Sequence, residues 1–500
     1  MDKDNGEDTK HIKYFSSYKP NDYFWGIGIE NETYIEVQQQ TQPQSQNQQK
    51  LNGSFIQDNH KRERYSVDYY ETYVSNLFDK TVHKFIKRDE DYEVPLLINA
   101  HYLTKCDSNG EHKTTYSANP AQTPNPKFSG QTNFETLKSA DPYFEKEEGN
   151  SFCFDGDTIE FMTLKFYKAN IYDVIRELKE HKKEFLNKVN ASKDTICKGL
   201  ADSSDEIHLE YPKKNHGFAR MATNKENLAI FNNGTYHFNF TLPTQLNENG
   251  EIENFKDFES RHMKAIRLIQ FMEPFFIAKF GSGDPLADKR NEYYRRFPKG
   301  SQRCAASRYI SVGTYDTLLM KRGKLLQEDR ETLAQRWPPN HWYTQLYTQI
   351  NYNKAEKIGF DINFNKFKNH GIELRFFDWF PEEHLENVLK CIVHLLDLSE
   401  STDITPKNPI SSPIWHELTY TALLEGCDAV LKKGELKIIC EYLNICYFKP
   451  KVYTYCMVYD EIAKQLDKRF GSKGPVSKYM IPQKSVWKTI SEYFSVLCLR

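Results

Sequence analysis

Trp25-Gly26-Ile27-Gly28-Ile29-Glu30-Asn31-Glu32-Thr33-Tyr34-Ile35-Glu36-Val37 alternates between apolar and polar positions. Ile27, Ile29, Ile35 and Val37 are β-branched and apolar, which predicts the buried face of one strand over 25–37. The opposite face carries Gly26, Gly28, Glu30, Glu32, Tyr34 and Glu36. Residues two apart on one strand face sit roughly 7 Å apart, so Glu30 and Glu32 point the same way. Two ionised carboxylates at that spacing repel by roughly 2 kcal/mol at an effective dielectric of about 20. Water screens such repulsion at an open edge, whereas a hard divalent cation, Mg²⁺ or Mn²⁺, turns it into a gain. A lone Glu-x-Glu fits a solvated edge or a metal site, and the rest of the chain decides between them.

Three later segments repeat the pattern. In a strand expected over 152–163, Thr158, Glu160 and Met162 lie opposite Ile159 and Phe161. In one expected over 235–243, His237, Asn239 and Thr241 lie opposite Tyr236, Phe238, Phe240 and Leu242. A hairpin is expected over 361–367 and 371–377, with Glu373 and Arg375 opposite Ile372, Leu374 and Phe376. Solvated strand faces usually carry Lys and Thr, so a shared face of Glu, His, Asn and Arg reads as a trough. Carboxylates that hold ions and an arginine that neutralises moving oxygens are the equipment of metal-assisted phosphoryl transfer. No GxxxxGK[ST] loop, GxGxxG turn, GxSxG or HExxH motif competes.

Composition narrows the class. Five hundred residues allow roughly two to four domains, or one large one with insertions. Charged residues make up 27% with a net charge of −2, so no basic field argues for nucleic acid. No apolar run reaches the roughly 20 residues that span a bilayer, and the first residues lack a signal-peptide pattern. Ten cysteines without a CxxC pair read as buried free thiols in a reducing compartment. The expectation is a cytoplasmic protein with no nucleic-acid or membrane partner.

Along the chain, 38–50 is a Gln-rich polar loop that cannot bury enough apolar area to pack. Helical stripes are expected over 69–87, 170–190 and 258–280, the last ending at Gly281. The run 96–103 reads as a strand and 106–150 as loop-rich, while 303–320 and 336–350 carry no clear pattern. From 382 onward helices are expected over 382–399, 413–432, 434–446, 452–470 and 484–498. Strands interleaved with helices and followed by helices predict an α+β fold with an antiparallel sheet.

The chain resembles the glutamate–cysteine ligase family, in the glutamine-synthetase-like group of ATP-dependent carboxylate–amine ligases. The resemblance rests on Gly28-Ile29-Glu30-Asn31-Glu32, then Ile159-Glu160-Phe161-Met162-Thr163, then His237-Phe238-Asn239-Phe240-Thr241-Leu242-Pro243. Pro274-Phe275 through Phe280-Gly281-Ser282-Gly283-Asp284-Pro285 follows, then Ala306-Ser307-Arg308 with Gly313-Thr314-Tyr315, then Gly371-Ile372-Glu373-Leu374-Arg375. All six stand in the family's order. The resemblance implies a curved, mostly antiparallel sheet shaped as a half-funnel, with outer helices. It implies a catalytic region over 1–400 and a helical C-terminal region, 401–500, packed on it. It further implies ligation of the glutamate γ-carboxylate to the amine of cysteine through an acyl phosphate, with ATP as co-substrate and Mg²⁺ or Mn²⁺ as cofactor. Glu30, Glu32, Glu160, His237 and Glu373 would be metal ligands. Arg375 would stabilise the phosphoryl group and Arg308 would bind a substrate carboxylate or phosphate. Asn239 and Tyr315 would line the substrate pocket. A sister ligase with another acid and amine, or a degenerate binding relative, are the alternatives.

Overall fold

The computed structural model describes residues 21–39, 95–115, 123–200, 207–231, 233–283, 299–305, 358–365, 370–402, 406–432, 434–448 and 453–482. The expected helices over 69–87 and 484–498, and residues Arg308 and Tyr315, lie outside them. In chain order the strands are β1 (Tyr23–Thr33), β2 (Ile35–Gln39), β3 (Leu96–Ile98), β4 (Thr114–Thr115), β5 (Thr123–Pro124), β6 (Phe152–Asp155) and β7 (Thr158–Met162). Then come β8 (Ile207–Glu210), β9 (Gly217–Met221), β10 (Asn224–Phe231), β11 (Thr235–Gln245), β12 (Ile362–Phe364) and β13 (Ile372–Asp378). The helices are α1 (Ala100–Lys105), α2 (Asn133–Ala140), α3 (Pro142–Glu147), α4 (Ile171–Ala191), α5 (Lys193–Ile196) and α6 (Phe255–Phe280). They continue with α7 (Gln302–Ala305), α8 (Leu385–Ser401), α9 (Pro413–Glu425), α10 (Glu435–Tyr442), α11 (Tyr455–Phe470) and α12 (Ser477–Met480).

Two sheets carry the fold. The larger has six strands in the order β12-β13-β11-β1-β7-β6, each pair antiparallel. The second runs β10-β9-β3-β2-β8 and is mixed, because β3 and β9 pair in parallel. An antiparallel sheet with helices is thus the observed class.

The stretch 25–37 is not one strand. It passes from the first sheet to the second at Tyr34, and Glu36 ends up facing His216 across 3.7 Å, away from Glu30 and Glu32. The alternation continues through the break, since Ile35 and Val37 are buried in the second sheet; the side-chain period therefore carries no mark of it. What closes the ladder there is Gly234, at φ +87°, where a Cβ would lie 1.8 Å from the Glu32 carbonyl oxygen.

Other expectations are corrected in the same way. The segment 152–163 is a hairpin of β6 and β7, turned at Gly156 with φ 56°. The run 96–103 is β3 followed by α1, because the Asn99 side chain accepts the Tyr102 N–H at 2.8 Å and starts a helix. Part of 106–150 is helical: Thr132 and Glu135 form a capping box for α2, and Asp141 followed by Pro142 opens α3. The strand β2 runs to Gln39, pairing with Ile207, so the Gln-rich tract begins inside the sheet. The helix expected over 413–432 ends at Glu425, where Gly426 has φ 56°. Cys427 and Cys456 are disulfide-bonded, with Cα atoms 5.2 Å apart, which overturns the reading of all cysteines as free thiols. They stand 29 residues apart in the chain, and the packing of the turn Gly426–Asp428, just past α9, against α11 brings them together.

The apolar faces of β1, β7, β11 and β13 carry Ile27, Phe161, Phe238 and Leu374, each fully buried. The helix α4 presents Val174, Leu178 and Phe185 to that side, and α6 lies beneath β11 and β13. The C-terminal helices α8, α9 and α11 pack on α6. Pro274 sits inside α6 and has no N–H to offer the carbonyl of Gln270 four residues earlier. The indole N–H of the fully buried Trp415, in α9, donates to that carbonyl at 2.6 Å. The C-terminal helices thus complete the central helix's hydrogen bonding as well as covering it.

Candidate active site

Strand register assembles the polar face. Across β1 and β11, Glu30 pairs with His237, Gly28 with Asn239 and Glu32 with Thr235. Asn239 pairs in turn with Glu373 on β13, and Glu32 with Glu160 on β7. The pairing on β13 contains a bulge: Tyr236 faces Phe377 but Phe238 faces Leu374, so His237 is opposed by both Arg375 and Phe376. The extra residue lets Phe376 and Phe377 both enter the core while Arg375 turns toward His237. Gly26 and Gly28 are glycines because the Phe166 ring lies on them; a Cβ would approach that ring to 2.2 and 3.0 Å.

Glu30, His237 and Glu373 each offer a ligand atom, all within 4.8 Å of one another. His237 is buried, with Nδ1 3.1 Å from Glu30 Oε2 and Nε2 3.6 Å from Glu32 Oε1. Arg375 Nη1 donates to Glu373 Oε1 at 2.6 Å and reaches within 3.4 Å of His237 Nδ1. Asn363 Nδ2 donates to the other Glu373 oxygen at 2.6 Å, and Thr235 Oγ1 donates to Glu32 Oε2 at 2.9 Å.

Burial, followed by the charge of Arg375, pushes His237 down to about 3, so the ring is neutral and keeps a lone pair for a ligand. Burial also pushes Glu160 up to about 8, helped by the charges of Glu30 and Glu32. Burial works against the charge of Arg375, yet Glu373 and Glu32 outweigh it and hold the guanidinium charged. The carboxylates therefore carry mutual repulsion that a cation would relieve.

Of the residues singled out in the sequence, Glu30, His237 and Glu373 come together as one cluster. Glu32 and Glu160 stand beside it on the same face, outside the 4.8 Å group. Asn239 donates through Nδ2 to Glu30 Oε1 at 3.1 Å, so it orients that carboxylate. Its Oδ1 is buried without a hydrogen-bond partner among the described residues. Two carboxylates, a neutral imidazole and an orphaned amide oxygen beside them fit a hard divalent cation with its water or substrate.

Two residues, Asn363 and Arg303, escaped the sequence reading, and a third, Asp378, follows the last motif without a role read for it. Asn363 supports Glu373. Arg303 places Nη2 3.5 Å from His237 Nε2, on the side away from Arg375. Asp378, on the motif strand, accepts the Arg303 backbone N–H at 3.2 Å. The only sequence signal was Ser301, whose Oγ accepts the Cys304 N–H at 3.0 Å and opens α7. Among the described residues no helix is long and apolar enough to cross a membrane.

No protein-family model matches the chain. The solved complex between Prokaryotic Ubiquitin-like Protein Pup and its ligase PafA aligns at 10% identity and a TM-score of 0.31, over 90% of this chain. The chain spans 63% of that structure's length, and a likeness this small carries no weight for fold or function. Uncharacterized protein R704 of Acanthamoeba polyphaga mimivirus is 39% identical over 476 residues, which cover 95% of this chain and 80% of that protein. The chain belongs to the same family as R704.

Proposed function

We propose that the protein is an ATP-dependent carboxylate–amine ligase, carried by one observation: Glu30, His237 and Glu373 converge on one point with Arg375 beside them. The six motifs in the order of the glutamate–cysteine ligase family give the same reading. On it, 1–400 form the ligase unit around a half-funnel sheet, and 401–500 the helical region against it.

A carboxylate has no leaving group, so it must be activated before an amine can attack. The acid's oxygen attacks the terminal phosphorus of ATP, ADP leaves, and an acyl phosphate forms. The amine nitrogen then attacks the acyl carbon, inorganic phosphate leaves with the bonding pair, and the nitrogen loses a proton. Glu30, His237 and Glu373 would hold Mg²⁺ or Mn²⁺, with Glu32 and Glu160 available to a second ion; bound there, the metal would neutralise phosphate oxygens. Arg375 would present its planar fork to the transferring phosphoryl group, where charge spreads over several oxygens. Asn239 would keep Glu30 oriented and offer its free oxygen toward the substrate. Arg308 and Tyr315 are assigned to substrate binding on the motif resemblance alone.

Glutamate and cysteine are the pair this reading names first. With Mg²⁺, ATP and glutamate, slow phosphate release is expected, accelerated by cysteine or by 2-aminobutyrate, because the nucleophile is nitrogen. Acceleration by another acid and amine would replace the pair and keep the chemistry. Tight ATP binding without phosphate release, over all pairs tried, would favour a binding relative instead.

A further inference from the structure

Arg303 lies across the imidazole of His237 from Arg375, and the two guanidiniums differ in one respect. Arg375 is neutralised by Glu373 at 2.6 Å. Arg303 has no carboxylate partner among the described residues, although Glu32 and Glu30 each lie against the same imidazole.

Its place in the fold is built. Ser301 and Cys304, on either side of it, are fully buried. Cys304 Sγ donates to the Phe376 carbonyl at 3.3 Å, and the Arg303 N–H is taken by Asp378. One residue before Ser301, Gly300 donates its N–H to the Leu423 carbonyl at 3.0 Å; a Cβ there would lie 2.3 Å from Leu423 Cα. The backbone is therefore clamped between β13 and α9, while the side chain is half-buried and makes no ion pair among the described residues. Asp378, at the end of β13, accepts the Arg303 backbone N–H and forms no ion pair with the guanidinium, which is left to serve another anion.

We propose that Arg303 is a second anion-anchoring residue, whose planar fork takes two oxygens of a substrate oxyanion at the end of the trough opposite Arg375. The oxyanion is either the terminal phosphoryl group of the nucleotide or a carboxylate of the acid, since a guanidinium pairs with both in bidentate fashion. This inference rests on the ligase reading for the identity of the anion, but not for its existence.

The test compares wild type with Arg303→Gln and Arg303→Lys, after melting curves establish that the variants fold. Mn²⁺ binding, read by electron paramagnetic resonance, should be no weaker in either variant, because Arg303 is not a metal ligand. Mn²⁺–ATP, Mn²⁺–ADP and glutamate are then titrated separately. A tenfold or greater loss for ATP with little change for ADP assigns Arg303 to the terminal phosphoryl group. A tenfold loss for glutamate with both nucleotides unchanged assigns it to a carboxylate, and Arg303→Lys should recover only part of either loss. Affinities within twofold of wild type for all three probes would overturn the proposal, as would a wild-type protein that binds none of them. If wild type binds the probes but forms no product, the ligase reading fails while the binding data still decide Arg303.

Discussion

Two buried histidines serve the same strand, β11, from its two ends and with opposite consequences. His262, on α6, is fully buried; its Nε2 accepts the Leu242 N–H at 3.0 Å and its Nδ1 donates to the Phe258 carbonyl at 2.7 Å. The Leu242 N–H is available because the β1–β11 register slips around Leu242 and Pro243. Among the described residues, the polar contacts of the His237 ring, on the polar face, are with side chains: Glu30, Glu32, Thr235, Arg375 and Arg303. Burial pushes both rings down to about 3. The shift is therefore no mark of function by itself. The partners are, since His262 is saturated by backbone groups and His237 is surrounded by charges of both signs that leave it a ligand.

The contrast predicts opposite phenotypes. The largest effect should come from the polar side. Glu30→Gln removes one candidate ligand and one of the carboxylates that repel each other, so divalent-dependent phosphate release should fall by about a thousandfold or more. Its melting temperature should hold or rise. A variant with near-normal turnover at saturating Mg²⁺ would remove Glu30 from the ligand set.

On the other side, His262→Ala should cost stability and spare turnover per folded molecule. It opens a cavity and leaves the Leu242 N–H without an acceptor, about 3 kcal/mol together. The pH dependence follows from the depressed value. Neutral His262 is favoured by the fold, so its contribution is full above the ordinary histidine value of about 6.5 and is lost as pH falls toward 3. Urea melts should show stability declining over that window, with His262 contributing at most about 1.4 kcal/mol per pH unit and the decline shallower by up to that amount in His262→Ala. A slope unchanged by the substitution would show that other groups carry the acid sensitivity.

A smaller effect should follow from Trp415→Phe. The ring packing is largely kept, but the Gln270 carbonyl freed by Pro274 loses its donor, costing about 1–2 kcal/mol. Chemical unfolding would measure this. A second substitution, Pro274→Ala, should remove the need for the indole, so the two losses should not add; strict additivity would break the link.

How far the sequence reached differs element by element. Period-two alternation identified the apolar faces of β1, β7, β11 and β13, because burial on one face leaves an imprint on every second residue. The same alternation gave Glu30, His237, Glu373 and Arg375 as residues sharing a polar side. It was blind to the passage from β1 to β2, since the imprint is the same in either sheet. The 106–150 region was misread although Thr132 and Glu135 carry a capping signal, because helices of eight and six residues show too little periodicity.

Which polar residues touch was never in the alternation. The register of β1 against β11 sets Glu30 opposite His237, and the bulge on β13 turns Arg375 toward the ring. Arg303 joins them only because Gly300 docks on Leu423 and Asp378 holds the next turn. Cys427 meets Cys456, and Trp415 the Gln270 carbonyl, through helices far apart in the chain. The sequence by itself determined the kind of side chain on each face, because solvent exposure acts residue by residue. Distances between those side chains were decided by tertiary structure alone, because strand register and helix docking are set by the summed packing of the whole core.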